Sequence, residues 1–466
     1  MKVVGIIAEY NPFHFGHQYQ LDRIREETGA DYIVIAMSGD FVQRGEPAIF
    51  DKYTRAQMAL QAGADLVLEL PSCFAVSSAE DFAACGVALL DRLGVVDMLC
   101  FGSELGSVKE LSAVAEILAD ETPEYTDMLK ELLRQGQSFP AARSQALASL
   151  LSDHPDSVIA QADWNEILSA SNNTLGIEYL KALKRRNSSM IPVTIQRRGQ
   201  CYTDCALPGI KEQAVICQDS TSFDSVSFDS ALFNSASLDS ASLGSAHFAS
   251  ATAIRSAFYD GHYEEAMEHM PFFPVEVPGN SMATVITSAS HVQSCPMVYP
   301  KDISGLLNMK LLELARDGQD LTAFSDVSRE LADRIGKQTL SFASFPERVA
   351  ALKTRQYTYT RVSRALLHIL LNITDEQIQN SRALDYAPYA RVLGFRRPSA
   401  ALMKEIKQNA DLPLITKTAD AQSLLDAAAY EMLQHDFFCS HLYQSLQQQK
   451  GGICPLNEYT HSPVLL

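Results

Sequence analysis

Two short clusters in this 466-residue sequence carry side chains suited to phosphate chemistry. In HFGH, His14 and His17 lie three apart, and Gly16 has no side chain to cover the backbone. At the start of a helix this spacing projects both imidazoles to one side and leaves N–H groups open to an anion. Imidazoles beside a helix N-terminus stabilise charge that builds on phosphorus during transfer. In SATAIR, Ser250 and Thr252 are placed to cap a second helix, and Arg255 follows one turn later. Hydroxyls, helix-start amides and a guanidinium together make a triphosphate clamp. Singly, each cluster has a plainer reading: a structural histidine pair, and an ordinary cap with a surface arginine. Their coexistence in one alternating chain favours the phosphate reading.

The elements that must position them follow from patterning. Short apolar runs at 3–8, 32–37, 65–70 and 97–102 alternate with helix-length segments, and PVTIQR (192–197) reads as a fifth strand after the long helix SNNTLGIEYLKALKRR. Such alternation predicts an α/β fold: a Rossmann-like parallel sheet whose ligands collect at the loops after the strands. HFGH follows the first strand, with Asn11 and Pro12 shaping the turn, and Gly102 ends the fourth. Beyond about 270 the pattern is mainly helical, with Pro271, Pro274 and Pro278 at the boundary. The length exceeds what one core fills, so two domains are expected, 1–270 and 271–466. Within the first, 219–249 is rich in Ser, Ala and Asp with Phe or Leu every fifth residue from Phe223 to Phe248. It reads as a repeat-expanded surface insertion with no chemical role.

Composition limits the partners. A formal net charge of −18 repels nucleic acid and anionic membrane, so a polyanion needs a local basic surface. The segment 345–409 offers one, with eleven Lys or Arg against five acids. KTRQYTYTR places Lys353, Arg355 and Arg361 among Tyr357 and Tyr359, a mixture suited to an RNA backbone and an unstacked base. Arg364, Arg396 and Arg397 are candidates of the same kind, although helical spacing also fits an exposed amphipathic edge. Between Gly39 and Gly45 the loop MSGDFVQRGEPA (37–48) carries polar Asp40, Gln43 and Arg44, with Ser38 just before, a wall for a small substrate or simply a loop. Lys52 and Arg55 read equally as phosphate or RNA contacts and as a solvated helix face. Nine scattered cysteines without a Cys-x-x-Cys pair predict reduced thiols and no zinc site. No apolar run has signal-peptide or membrane-spanning character, so cytoplasmic residence is expected.

Several ordered blocks carry a more specific likeness: GIIAEYNPFHFGH, residues 37–71, FGSE (101–104), SNNTLGIEYLKAL, TIQRRG (194–199), ASATAIR (249–255), and more weakly 353–371 and 390–399. Together they resemble the tRNA(Met) cytidine acetate ligase family, within the HxGH nucleotidylyltransferase superfamily. The resemblance implies an enzyme that activates acetate with ATP to acetyl-adenylate and pyrophosphate. The acetyl group then passes to N4 of the wobble cytidine of elongator tRNA(Met), giving N4-acetylcytidine. It places ATP on Ile7, Ala8, Glu9, Tyr10, Asn11, Pro12, Phe13, His14, Phe15, Gly16, His17, Gln18, Tyr19 and Gln20, and on Gly102, Asn172 and Arg197. Asn173 and Arg198 are adjacent duplicates that compete for the last two roles. On this reading His14, His17 and Arg255 stabilise phosphate, Ser250 and Thr252 support them, and Mg²⁺ accompanies the nucleotide without a carboxylate cage of its own. Neither a membrane nor a protein partner is implied. The sequence departs from the family pattern in the 219–249 stretch and in YTD (202–204), where Tyr-His-Asp is expected. Two other readings stay open: an adenylyltransferase making a nucleotide coenzyme from ATP and a phosphorylated small molecule, and a non-catalytic tRNA-binding protein holding ATP as structure.

Overall fold

The computed structural model describes residues 1–137, 139–197, 207, 248–271, 274–275, 283–284, 296–354, 356–451 and 456–466. Arg198, Arg355, the YTD segment and the insertion up to residue 247 lie outside them. The expected strands form as β1 (Val3–Ala8), β2 (Tyr32–Ser38), β3 (Leu66–Leu70), β4 (Met98–Ser103) and β5 (Ile191–Gln196). They pair in parallel in the order β3-β2-β1-β4-β5. Helices α1 (Phe15–Thr28), α2 (Lys52–Gln61), α3 (Ala79–Arg92) and α4 (Ser171–Arg186) fill the connections.

Strands buried on both faces explain the unbroken apolar runs. In β2, Ile33, Ile35 and Met37 face one core with α1 and α2, whereas Val34 and Ala36 face the other with α3 and α4. Helix starts are fixed by side-chain caps: Asp51 accepts from the amides of Tyr53 and Thr54, and Ser78 from that of Asp81. Every parallel strand thus ends at the same edge, where the loops carrying HFGH, residues 37–48 and Gly102 emerge.

The segment after 270 is mainly helical, as expected, and it also extends the sheet. Strand β6 (Ala390–Phe395) runs antiparallel to β3, and two short strands, β7 (Leu414–Ile415) and β8 (Val464–Leu465), pair with β6. Both parts of the chain therefore share one eight-stranded sheet. Their joint holds a buried charge cluster, with Lys52 Nζ 2.8 Å from Glu69 and 3.1 Å from Glu458, and Arg391 pairing with both carboxylates. Helix α6 (Tyr359–Leu371) makes a second joint. Ser363 Oγ donates to the Gly45 carbonyl at 2.9 Å. At Gly45 φ is +80°, and a Cβ would lie 2.4 Å from the Arg364 nitrogen, so only glycine fits there.

Candidate active site

The turn after β1 sets both histidines. His14 caps α1: its Nδ1 accepts from the Gly16 amide at 3.0 Å, and its own amide donates to His17 Nδ1 at 3.3 Å. The two rings stack with centroids 3.8 Å apart. A nitrogen that accepts a hydrogen bond carries no proton, so each neutral ring holds its proton on Nε2 as a donor. Burial pushes the His14 pKa down to about 3, with the charges of Arg197, His269 and Arg255 adding to the effect, and burial likewise lowers that of His17. The pair therefore presents two neutral N–H donors.

This arrangement makes a prediction about pH. The folded state refuses a proton that an unfolded histidine accepts near pH 6.5, so stability falls as pH drops from about 6.5 towards about 3. In ¹⁵N NMR spectra both rings are expected to keep the Nε2–H tautomer down to about pH 5; titration near the ordinary imidazole value would contradict the hydrogen-bond assignment.

His14 and His17 line a recess with Gly16, Tyr19 and Gln20 on one side and Gly102, Gln196 and Arg197 on the other. The Arg197 stem lies against the strand end at Gly102, where an added Cβ would make an ordinary contact 3.4 Å from Arg197 Cγ. Arg255 comes from α5 (Ala251–Asp260), whose cap is Ser250, accepting from the Ala253 amide at 3.0 Å. Its Nη1 donates to the Asn11 carbonyl at 2.7 Å, and its Nη2 to Thr252 Oγ1 at 3.4 Å. The downstream guanidinium thus rests on the very turn that leads into HFGH.

Other expected site residues are placed differently. The side chains of Ile7, Tyr10 and Phe13 are buried in the cores, so these positions shape the turn from within. Asn173 is buried, accepting from the Leu105 amide and donating to the Ile167 carbonyl. Asn172 is half-buried and donates to Glu104 at 2.6 Å, beside the recess rather than lining it. The expectation that Lys52 and Arg55 face phosphate, RNA or solvent is corrected: both are fully buried. Arg55 ties the site's loops together from inside, donating to the carbonyls of Phe50, Glu9, Ser38 and Gly39. The insertion is not wholly without a part either, because Phe248 and Ala249 line the recess and the Phe248 ring packs on Tyr19. Its five-residue phase disguised a position whose adjacency to SATAIR was the only signal.

Among the basic candidates, Arg361 lies 5.1 Å over the Tyr357 ring. Tyr357 itself is buried and bonds Ser328 through its hydroxyl, so it supports the arginine and is not open to a base. Arg364 is held at 3.0 Å by Asp326. Lys353 follows the helix 345–352 as its C-cap. Arg396 and Arg397 follow β6 beside Asp65, at the opposite edge of the sheet from HFGH. A broad, shallow cavity of about 840 Å³ lies at that edge, lined by Arg25, Asp65 and Arg396, whose charges already pair with one another.

The sequence matches the family model described as HIGH Nucleotidyl Transferase over residues 1–214 and 233–453. The tRNA(Met) cytidine acetate ligase of Caldanaerobacter subterraneus is 37% identical, over 95% of this chain and 95% of its own. That of Acetivibrio thermocellus is 36% identical over 100% of both chains. The crystal structure of apo Thermotoga maritima TmcAL matches with a TM-score of 0.80 at 27% identity, covering 100% of each chain. The same protein bound with alpha-thio ATP matches with a TM-score of 0.78.

Proposed function

The chain belongs to the tRNA(Met) cytidine acetate ligase family of HIGH nucleotidyl transferases, and on that premise we propose that it joins acetate to N4 of the wobble cytidine of elongator tRNA(Met). It is an ATP-dependent ligase. A carboxylate is a poor acyl donor, and adenylation supplies a good leaving group. Acetate oxygen attacks the α-phosphorus and pyrophosphate departs; N4 then attacks the acetyl carbon and AMP departs. The first step needs little covalent help from protein, so the work is alignment and screening of negative charge.

The Nε2–H donors of His14 and His17 and the guanidinium of Arg255 take the phosphates, with Thr252 and Ser250 holding the arginine and its helix. Gly102 and Arg197, which line the recess, serve the adenosine end, with Asn172 beside them on Glu104. The contact that carries this reading is Arg255 Nη1 on the Asn11 carbonyl at 2.7 Å, which joins the clamp to the histidine turn. Among the described residues no cluster of three or more His, Cys, Asp or Glu is arranged to hold a metal. Mg²⁺ would therefore arrive on the triphosphate and be held chiefly by it.

Residues 1–270 would carry the ATP chemistry and 271–466 the RNA, with Lys353, Arg361 and Arg364 along one approach, Arg396 and Arg397 on the far edge, and Arg355 assigned to RNA from the sequence alone. Among the described residues no helix is long and apolar enough to cross a membrane, and a tRNA substrate puts the enzyme in the cytoplasm. The test is ATP–pyrophosphate exchange by the purified protein. Exchange that requires acetate is expected. Exchange that requires a phosphorylated acceptor would indicate coenzyme synthesis, and no exchange under either condition would indicate a binding protein.

A further inference from the structure

We propose that Glu9 is the proton acceptor of the transfer step, taking one of the two N4 protons of cytidine as the amide forms, an inference that rests on the acetate-ligase reading above. Glu9 stands where β1 ends, two residues before Asn11, which carries Arg255, and five before His14. Its carboxylate is fixed, because Oε1 accepts from the Gln43 amide at 2.7 Å, and its carbonyl accepts from Arg55 Nη1 at 2.5 Å. The loop that supplies Gln43 is the one that docks through Gly45 on α6. Glu9 therefore occupies the seam between the turn assigned to phosphate and the helix that carries Arg361 and Arg364. On the acetate-ligase reading, this seam, beside the histidine recess and between the two groups of residues assigned to ATP and to RNA, is where the proposal has acetyl-adenylate and the incoming cytidine meet.

Other carboxylates nearby are already engaged. Asp40 is buried and accepts from the Lys52 amide at 2.8 Å. Glu69 lies between Lys52 and Arg391 in the interior. Glu9 keeps part of its residue surface open, although its carboxyl is desolvated. Four charged or titratable groups face it: Arg44 from the docking loop, Arg55 from α2, Arg255 from α5 and Tyr179 from α4. Burial raises the Glu9 pKa, and the Gln43 amide and the guanidiniums of Arg44, Arg255 and Arg55 oppose the rise without cancelling it. The group is thus a stronger base than a free carboxylate, and the same guanidiniums offset its repulsion from the adenylate phosphate.

The N4 lone pair forms the C–N bond at the acetyl carbon, and the bond from that carbon to the phosphate oxygen breaks, its electron pair leaving with AMP. Nitrogen, positive after attack, passes one proton to the Glu9 carboxylate, which returns it to solvent.

The experiment compares two half-reactions in wild type and Glu9→Gln: acetate-dependent ATP–pyrophosphate exchange, and single-turnover transfer from pre-formed acetyl-adenylate to tRNA(Met). Transfer is expected to fall by about 10²–10³-fold, at least about tenfold more than exchange, and to lose the acidic limb of the wild-type pH profile. Glu9→Asp, which keeps a carboxylate, should retain that limb. Equal losses in both half-reactions, transfer within about threefold of wild type, or a wild-type profile with no acidic limb would overturn the assignment. Wild type that shows no acetate-dependent exchange would instead remove the acetate reading, and the proposal with it.

Discussion

His17→Ala is expected to lower acetate-dependent ATP–pyrophosphate exchange by about 10²–10³-fold, the usual cost of losing one donor aimed at developing charge. Two effects combine. The substitution deletes one of the two Nε2–H donors, and it removes the Nδ1 that accepts from the His14 amide and the ring stacked on His14 at 3.8 Å. Affinity for tRNA(Met) should stay within about threefold, because the substitution removes none of the basic side chains proposed to meet RNA. Paired Arg355→Ala and Arg361→Ala substitutions should do the reverse, weakening tRNA binding while exchange persists. Filter binding and exchange measured on the same preparations check both. If the two variants lost only tRNA affinity, the proposed division between 1–270 and 271–466 would be wrong.

Glu458→Ala should destabilise the protein by about 3–5 kcal/mol, the cost of leaving buried charge without its partner. Glu458 is fully buried between Lys52, 3.1 Å away, and Arg391, and its tail ends in β8 on the shared sheet. Burial alone would raise its pKa; Lys52 and Arg391 outweigh burial and hold it down at about 2. A carboxyl depressed in this way contributes its stability above about pH 4.5, and that contribution is lost as pH falls through about 2. Denaturant unfolding near neutral pH should therefore separate variant from wild type clearly, and the gap should narrow in acid. A difference under about 1 kcal/mol would mean that water or a shift of the tail relieves the two cations.

The sheet was legible because buried parallel strands leave a compositional trace. All five expected strands form within a residue or two of the apolar runs, and HFGH opens a helix where the turn residues said it would. Strand β6 was not legible: ARVLGF is short, contains Gly394, and sits among helices, and only its antiparallel pairing with β3 makes it a strand. Lys52, Arg55 and Arg391 were misread or passed over for a related reason. A charged side chain looks the same in sequence whether solvated or buried, and the partners that permit burial come from elsewhere in the chain, Glu69 and Glu458 for Lys52 and Arg391 and backbone carbonyls for Arg55. The meeting of His14, His17 and Arg255 at one turn was readable from residue type and spacing. The role of Arg55 in tying Glu9 to Ser38 and Gly39 was not, because backbone carbonyls as acceptors have no sequence signature.

Co-crystallisation of this chain with a non-hydrolysable ATP analogue bears most directly on the central claim. One triphosphate is expected to accept from His14 Nε2, His17 Nε2 and Arg255, each at about 2.7–3.2 Å. Phosphates seated away from the HFGH turn, or an Arg255 that stays on Asn11 and reaches no phosphate oxygen, would contradict it.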